Sequence, residues 1–115
     1  MNAATTLAPM LSVRGGKQAV AFYGAAFGAA EFWVADESPE HANFSPETLG
    51  GGSVRMVLTL DDPDAVFAQA VAAGATVVWP VQDQHGWRLG RLADPFGHHW
   101  EIGKPLPGPA ADERL

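Results

Sequence analysis

The chain contains no cysteine. Disulfides, thiolate zinc sites and cysteine nucleophiles are excluded together, and histidines and carboxylates remain as the strong metal ligands. It also lacks any apolar run near the ~18 residues that a membrane-crossing helix needs. The opening "MNAATTLAP" has neither the basic flank nor the apolar core of a secretory leader, so a cytoplasmic location and no membrane partner are expected. Basic residues are scarce: seven Lys and Arg stand against thirteen Asp and Glu, for a net charge of -6. They are scattered, and a phosphate backbone would be repelled, so no nucleic-acid partner is expected. There is no Gly-Lys-Ser/Thr phosphate loop, no dinucleotide fingerprint and no nucleophile elbow, which argues against nucleotide chemistry and serine hydrolysis.

What is present reads as one domain over residues 1–115. "LAPMLSV", Leu7 to Val13, predicts a strand, and Lys17 to Phe27 predicts a helix with an apolar stripe of Ala19, Val20, Phe22, Tyr23, Ala26 and Phe27, closed by Gly28. Glu31 to Ala35 predicts a strand and Asp36 to Gly52 a long loop. Ser53 to Leu60 predicts a strand. The next helix is fully punctuated, with Asp62 as N-cap, Pro63 at its first position and Gly74 past its end. "ATVVWPV" predicts a strand that Pro80 places near an edge. "WRLGRLAD" and "HHWEIG" predict a hairpin across Asp94-Pro95-Phe96-Gly97, and the Pro- and Gly-rich tail 104–115 is expected to fray.

The halves repeat. "AVAFYGAAFGAAEFWV" from Ala19 aligns with "AVFAQAVAAGATVVWP" from Ala65, giving a first module over about 7–52 and a second over about 53–103. With "GRLADPFGHHWEIG", and above all the Asp-Pro-x-Gly-His-x-x-Glu pattern of Asp94, Pro95, Gly97, His98 and Glu101, this chain resembles the vicinal oxygen chelate superfamily. That group includes glyoxalases, bleomycin resistance proteins and extradiol dioxygenases. The resemblance implies an α+β fold of tandem β-α-β-β-β modules, in which a curved mixed sheet carries helices on its outer face. The first module is truncated, lacking most of a hairpin after its helix. An open sheet edge needs cover, so a homodimer is expected.

In the metal-dependent members, ligands come from the first strand of each module and the last strand of the second. The last-strand carboxylate is Glu101, while the first-strand positions fall on Ala8 and Arg55. Methyl has no lone pair and guanidinium carries positive charge, so the metal triad is broken. A divalent cation at Glu101 is the one cofactor the resemblance allows. By strand alternation His99 shares the face of Glu101, as a second ligand or a proton-transfer group, while His98, Trp100 and Ile102 face the other way. Arg55 either holds an anionic ligand through a bidentate fork or neutralises Glu101. Trp87 and Arg88, with His85 and Arg91 nearby, and Trp33 are candidate ligand contacts; Trp100 is expected in the core. Three functions are in view: sequestration of a small organic molecule, a Glu101-based or metal-dependent enzyme of lyase, isomerase or dioxygenase type with His99 as partner, and a structural remnant.

Overall fold

The computed structural model describes residues 5–30 and 33–108. Ten elements follow in order, and we label the strands and α-helices: β1 (Leu11–Val13), α1 (Gly16–Phe27), β2 (Val34–Asp36), a 3-10 turn (Pro39–His41), α2 (Pro46–Leu49), β3 (Arg55–Thr59), α3 (Pro63–Ala73), β4 (Thr76–Gln84), β5 (Trp87–Ala93) and β6 (His99–Pro105). The second half is a complete β-α-β-β-β unit with strand order β3-β6-β5-β4, in which β3 and β6 run parallel and the other neighbours antiparallel. The first half is β-α-β alone. With two strands fewer than its counterpart, it pairs β2 directly and in parallel with β1, through α1 as the crossover. The α+β architecture with a shortened first module is as the sequence implied.

Most boundaries follow the sequence signals. Asp62 caps α3 by accepting from the Ala65 N–H at 3.2 Å, and Gly28 and Gly74 lie just past α1 and α3. Four details differ. β1 begins only at Leu11, and Leu7 and Met10 before it are exposed. Glu31 and Phe32, the start of the expected strand, lie outside the described residues; β2 begins at Val34. The expected long loop contains α2, whose Ser45 N-cap accepts from the Thr48 N–H at 3.2 Å and whose Pro46 takes the first helical position. The tail does not depart at Lys104, because Lys104 and Pro105 continue β6; residues 109–115 lie outside the described residues. β4 runs on through Pro80 as the sheet's outer strand, the position that tolerates a missing N–H. It turns into β5 through His85 and Gly86, both at positive φ as a two-residue hairpin turn requires.

The core lies between the helices and one face of the four-stranded sheet. Trp100, Ile102 and Leu92 from the sheet meet Tyr23, Phe22, Ala26 and Phe67 from the helices. Trp100 is therefore a core residue, as expected, with its ring 4.7 Å from that of Phe27. One buried carboxylate ties the halves together. Asp94 accepts from the Phe96 and His98 N–H groups at 2.9 Å each, from Trp100 Nε1 at 2.9 Å, and from the Tyr23 hydroxyl. Burial, then the Asp94 charge, pushes the Tyr23 hydroxyl far above its ordinary range and keeps it a donor. Gln69 on α3 adds bonds to the Ala25 and Ala26 carbonyls of α1, and a ring nitrogen of His98 reaches the Ser12 carbonyl of β1 at 3.1 Å.

Between β2 and β3 a polar knot holds the chain. The Glu37 carboxylate accepts from the Ser45 N–H at 2.8 Å and from the Thr48 hydroxyl, and Arg14 stands 3.8 Å away. Hydrogen bonds from Ser45 and Thr48, with Arg14 adding less, lower its pKa to about 2 from an ordinary 4.5. A carboxyl depressed in the folded state contributes stability that is complete above its unfolded pKa and lost as pH falls toward the folded value. Thermal unfolding followed by circular dichroism should therefore show stability falling between pH 4.5 and about 2, and Glu37→Gln should lessen that slope. An unchanged slope would mean that the knot does not couple to folding.

Candidate functional site

Strand alternation and register assemble the site. On the sheet face away from the core, Arg91 of β5 lies opposite Glu101 of β6, and His99 of β6 lies opposite Arg55 of β3. Two guanidinium groups thus flank the β6 strand, with a histidine and a carboxylate between them. The pieces are brought together by the Asp94 turn, which sets β6 antiparallel to β5, and by the parallel return of β3.

The knot around Glu37 supplies the remaining wall. It directs α2 against the Asp94–Gly97 turn, so close that a Cβ on Gly97 would stand 2.9 Å from Pro46 Cβ; the positive φ of 89° at Gly97 also calls for glycine. The strap that follows, Gly51 to Val54, then runs over the sheet. Between them lies a cavity of about 330 Å³ lined by Gly51, Gly52, Ser53, Val54, Arg55, Arg91, Gly97 and His99.

Within it the polar groups differ sharply in how they are satisfied. The Nε of Arg55 forms an ion pair with Glu101, whose side chain is only 5% exposed. Neutralisation, one of the two roles open to Arg55 from sequence, is thus present, and Arg55 still reaches the cavity wall. Glu101 itself is not among the lining residues. Arg91 forms no ion pair with any described residue, and its Nε is buried without a hydrogen-bond partner. The Nδ1 of His99 is buried in the same condition. A buried polar nitrogen without a partner costs ~1–3 kcal/mol, so these two atoms mark where a further group belongs.

The other candidates lie elsewhere. Arg88 faces the helix side of β5 and is committed there, with Nε and Nη2 on the two Asp64 oxygens at 2.7 and 2.8 Å and Nη1 on Asp83 at 2.9 Å. It fastens the first turn of α3 to the β4–β5 hairpin and lowers the Asp64 pKa. Trp33 stands just before β2 and is 59% exposed, outside the cavity. Trp87 begins β5 opposite Pro105, on the same strand face as Arg91 but four residues along, and is not a lining residue.

A divalent cation does not fit this donor set. No group of three or more His, Asp or Glu suited to one occurs among the described residues. At Glu101 such an ion would have to displace one guanidinium and sit beside another.

The complete second unit and the shortened first unit define a glyoxalase-type fold. A glyoxalase-like domain matches residues 10–103, and the chain belongs to that family, within the vicinal oxygen chelate superfamily. An uncharacterized protein of Mycobacterium bovis is 35% identical over 139 residues, covering 98% of this chain and 91% of its own; one of Mycobacterium tuberculosis gives the same identity with 82% of its own length. Since 98% of 115 residues is about 113, roughly 26 of those 139 residues have no counterpart here, enough for a hairpin with its connections. Among solved structures, a gene product of Arabidopsis thaliana is 29% identical with a TM-score of 0.68, covering 89% of this chain and 100% of its own. A glyoxalase-related enzyme of Fulvimarina pelagi shares the fold at 24% identity, TM-score 0.66, with 88% of each chain covered.

Proposed function

We propose that the chain binds a small organic ligand in the cavity beneath the Gly51–Val54 strap, and that it does so without a resident divalent cation. The observation that carries this reading is the pair of buried nitrogens without a partner, Arg91 Nε and His99 Nδ1, on residues that line a cavity of about 330 Å³. That volume lies within the range of small-molecule pockets, ~300–1,000 Å³. The resemblance implies a metal-ligand position at Arg55, and Arg55 takes up the Glu101 carboxylate instead. A Glu101-based enzyme would work through a carboxylate already paired with Arg55, whereas binding makes no demand on Glu101.

A homodimer remains part of the proposal. β3 is the edge of the four-stranded sheet, and Val54 and Val57 on and before it are 71% and 52% exposed. A second copy covering that edge would bury apolar surface and shield the strap.

Thermal denaturation of chelator-treated protein against a panel of small aromatic carboxylates, phosphonates, amides and alcohols tests the reading. At least one class should raise the midpoint with saturation, worth about 2.7 kcal/mol at a hundredfold excess over Kd. Stabilisation by none of them, or only with an added divalent cation, would contradict it.

A further inference from the structure

Resting on that reading, we infer that the ligand is an organic acid whose carboxylate or phosphonate group is held by Arg91 and His99, with Arg55 closing on it from the other side of β6. The charge on the walls sets the sign. Arg55 and Arg91 bring two positive charges and Glu101 one negative, so the site is net cationic within a chain of net charge -6. Glu101 is already engaged by Arg55, which leaves Arg91 as a half-buried cation with no ion-pair partner among the described residues.

The placement of Arg91 and His99 also suits an oxyanion, to which Arg91 Nε–H donates and His99 donates through Nδ1–H in the tautomer that carries it. Arg91 and His99 are diagonal neighbours across β5 and β6, because Arg91 pairs with Glu101 and His99 with Ala93. Diagonal positions stand ~7–8 Å apart at the backbone, close enough for long side chains to converge on one group. Each presents a buried, unpartnered ring or guanidinium nitrogen. Arg55 meets Glu101 through Nε and also lines the cavity, so its guanidinium stands within reach of the same group for a charge-assisted contact. A neutral ligand would leave Arg91 without a counter-charge, whereas an anion compensates it directly.

The strap receives the rest of the molecule. A Cβ on Gly51 would meet nothing within 4 Å, so this wall is open backbone that leaves room for an uncharged body. Charge recognition and body recognition therefore rest on different residues and can be separated by mutation.

The test is a nitrogen–proton NMR titration of the full chain, reading backbone and arginine Nε–Hε signals, with benzoate, phenylphosphonate and benzamide as probes. Benzoate or phenylphosphonate should move the Arg91 Nε–Hε signal saturably, and the tighter of the two assigns the acid class. Arg91→Met should weaken that binding by about tenfold or more, weaken any benzamide response less, and keep a dispersed spectrum; Arg91→Lys should recover part of the affinity. Should benzamide move the cavity signals as strongly as the acids, with Arg91→Met affecting none of them, the acid inference falls and organic-ligand binding stands. Should none of the three probes move the signals of Gly51 to Val54, Arg91 or His99 in folded protein, both fall.

Discussion

Replacing Asp94 with alanine is expected to cost about 3–5 kcal/mol, enough to leave a domain of ordinary stability largely unfolded. The carboxylate collects two backbone N–H groups of its own turn, the Trp100 indole and the Tyr23 hydroxyl. Alanine leaves the indole and the hydroxyl buried without an acceptor, and the loss extends across both halves because Tyr23 lies on α1. Asp94→Asn keeps one oxygen and should cost less. Chemical denaturation of the three proteins distinguishes the contributions; an alanine variant within 1 kcal/mol of wild type, a gap below the cost of one orphaned buried donor (~1–3 kcal/mol), would remove Asp94 from its place as the link between halves.

Removing Arg55 has a different signature. Arg55→Met removes the ion pair that Arg55 makes with the buried Glu101 carboxylate and should destabilise the fold by about 1–3 kcal/mol, discounted from a fully buried pair because the arginine side chain is 55% exposed. Adding Glu101→Gln removes the charge that Arg55 offsets, so the double variant should be more stable than the two single effects sum to. A double-mutant cycle by urea denaturation measures this coupling. Strict additivity would show that Arg55 does not neutralise Glu101 and would leave ligand binding as its role. The same Arg55→Met protein should bind the acid probes more weakly, since Arg55 is also a wall of the cavity.

Much of this arrangement is legible in the sequence, for identifiable reasons. Helix punctuation survives tertiary packing because it is local chemistry: Asp62, Pro63 and Gly74 meet backbone groups that every helix end exposes. The shared face of His99 and Glu101 follows from the two-residue period of a strand, and the offset between the halves follows from their repeat. Arg91, which sequence reasoning places only beside Trp87, is recoverable by counting back across the Asp94 turn: once Ala93 opposes His99, Arg91 must oppose Glu101. Arg88 is misplaced when read as a neighbour of Trp87, because adjacent strand residues face opposite sides. Its partners Asp64 and Asp83 come from α3 and β4, a pairing that spacing alone does not reveal. The Ser45-Pro46-Glu47 signature of α2 is readable within the presumed loop. That α2 carries the glycine strap over the sheet is not, since this depends on a knot joining Glu37, Ser45, Thr48 and Arg14 and on the bare surface of Gly97.

In the proposed function the guanidinium-lined cavity binds an acid without a divalent cation. Calorimetric titration of chelator-treated protein with benzoate and with phenylphosphonate, in the absence and presence of Co2+, tests it most directly. Saturable one-to-one binding of an acid without metal, unchanged by Co2+, is the predicted result. Binding that requires Co2+ and disappears in Glu101→Ala would contradict the account and return Glu101 to the role of a metal ligand.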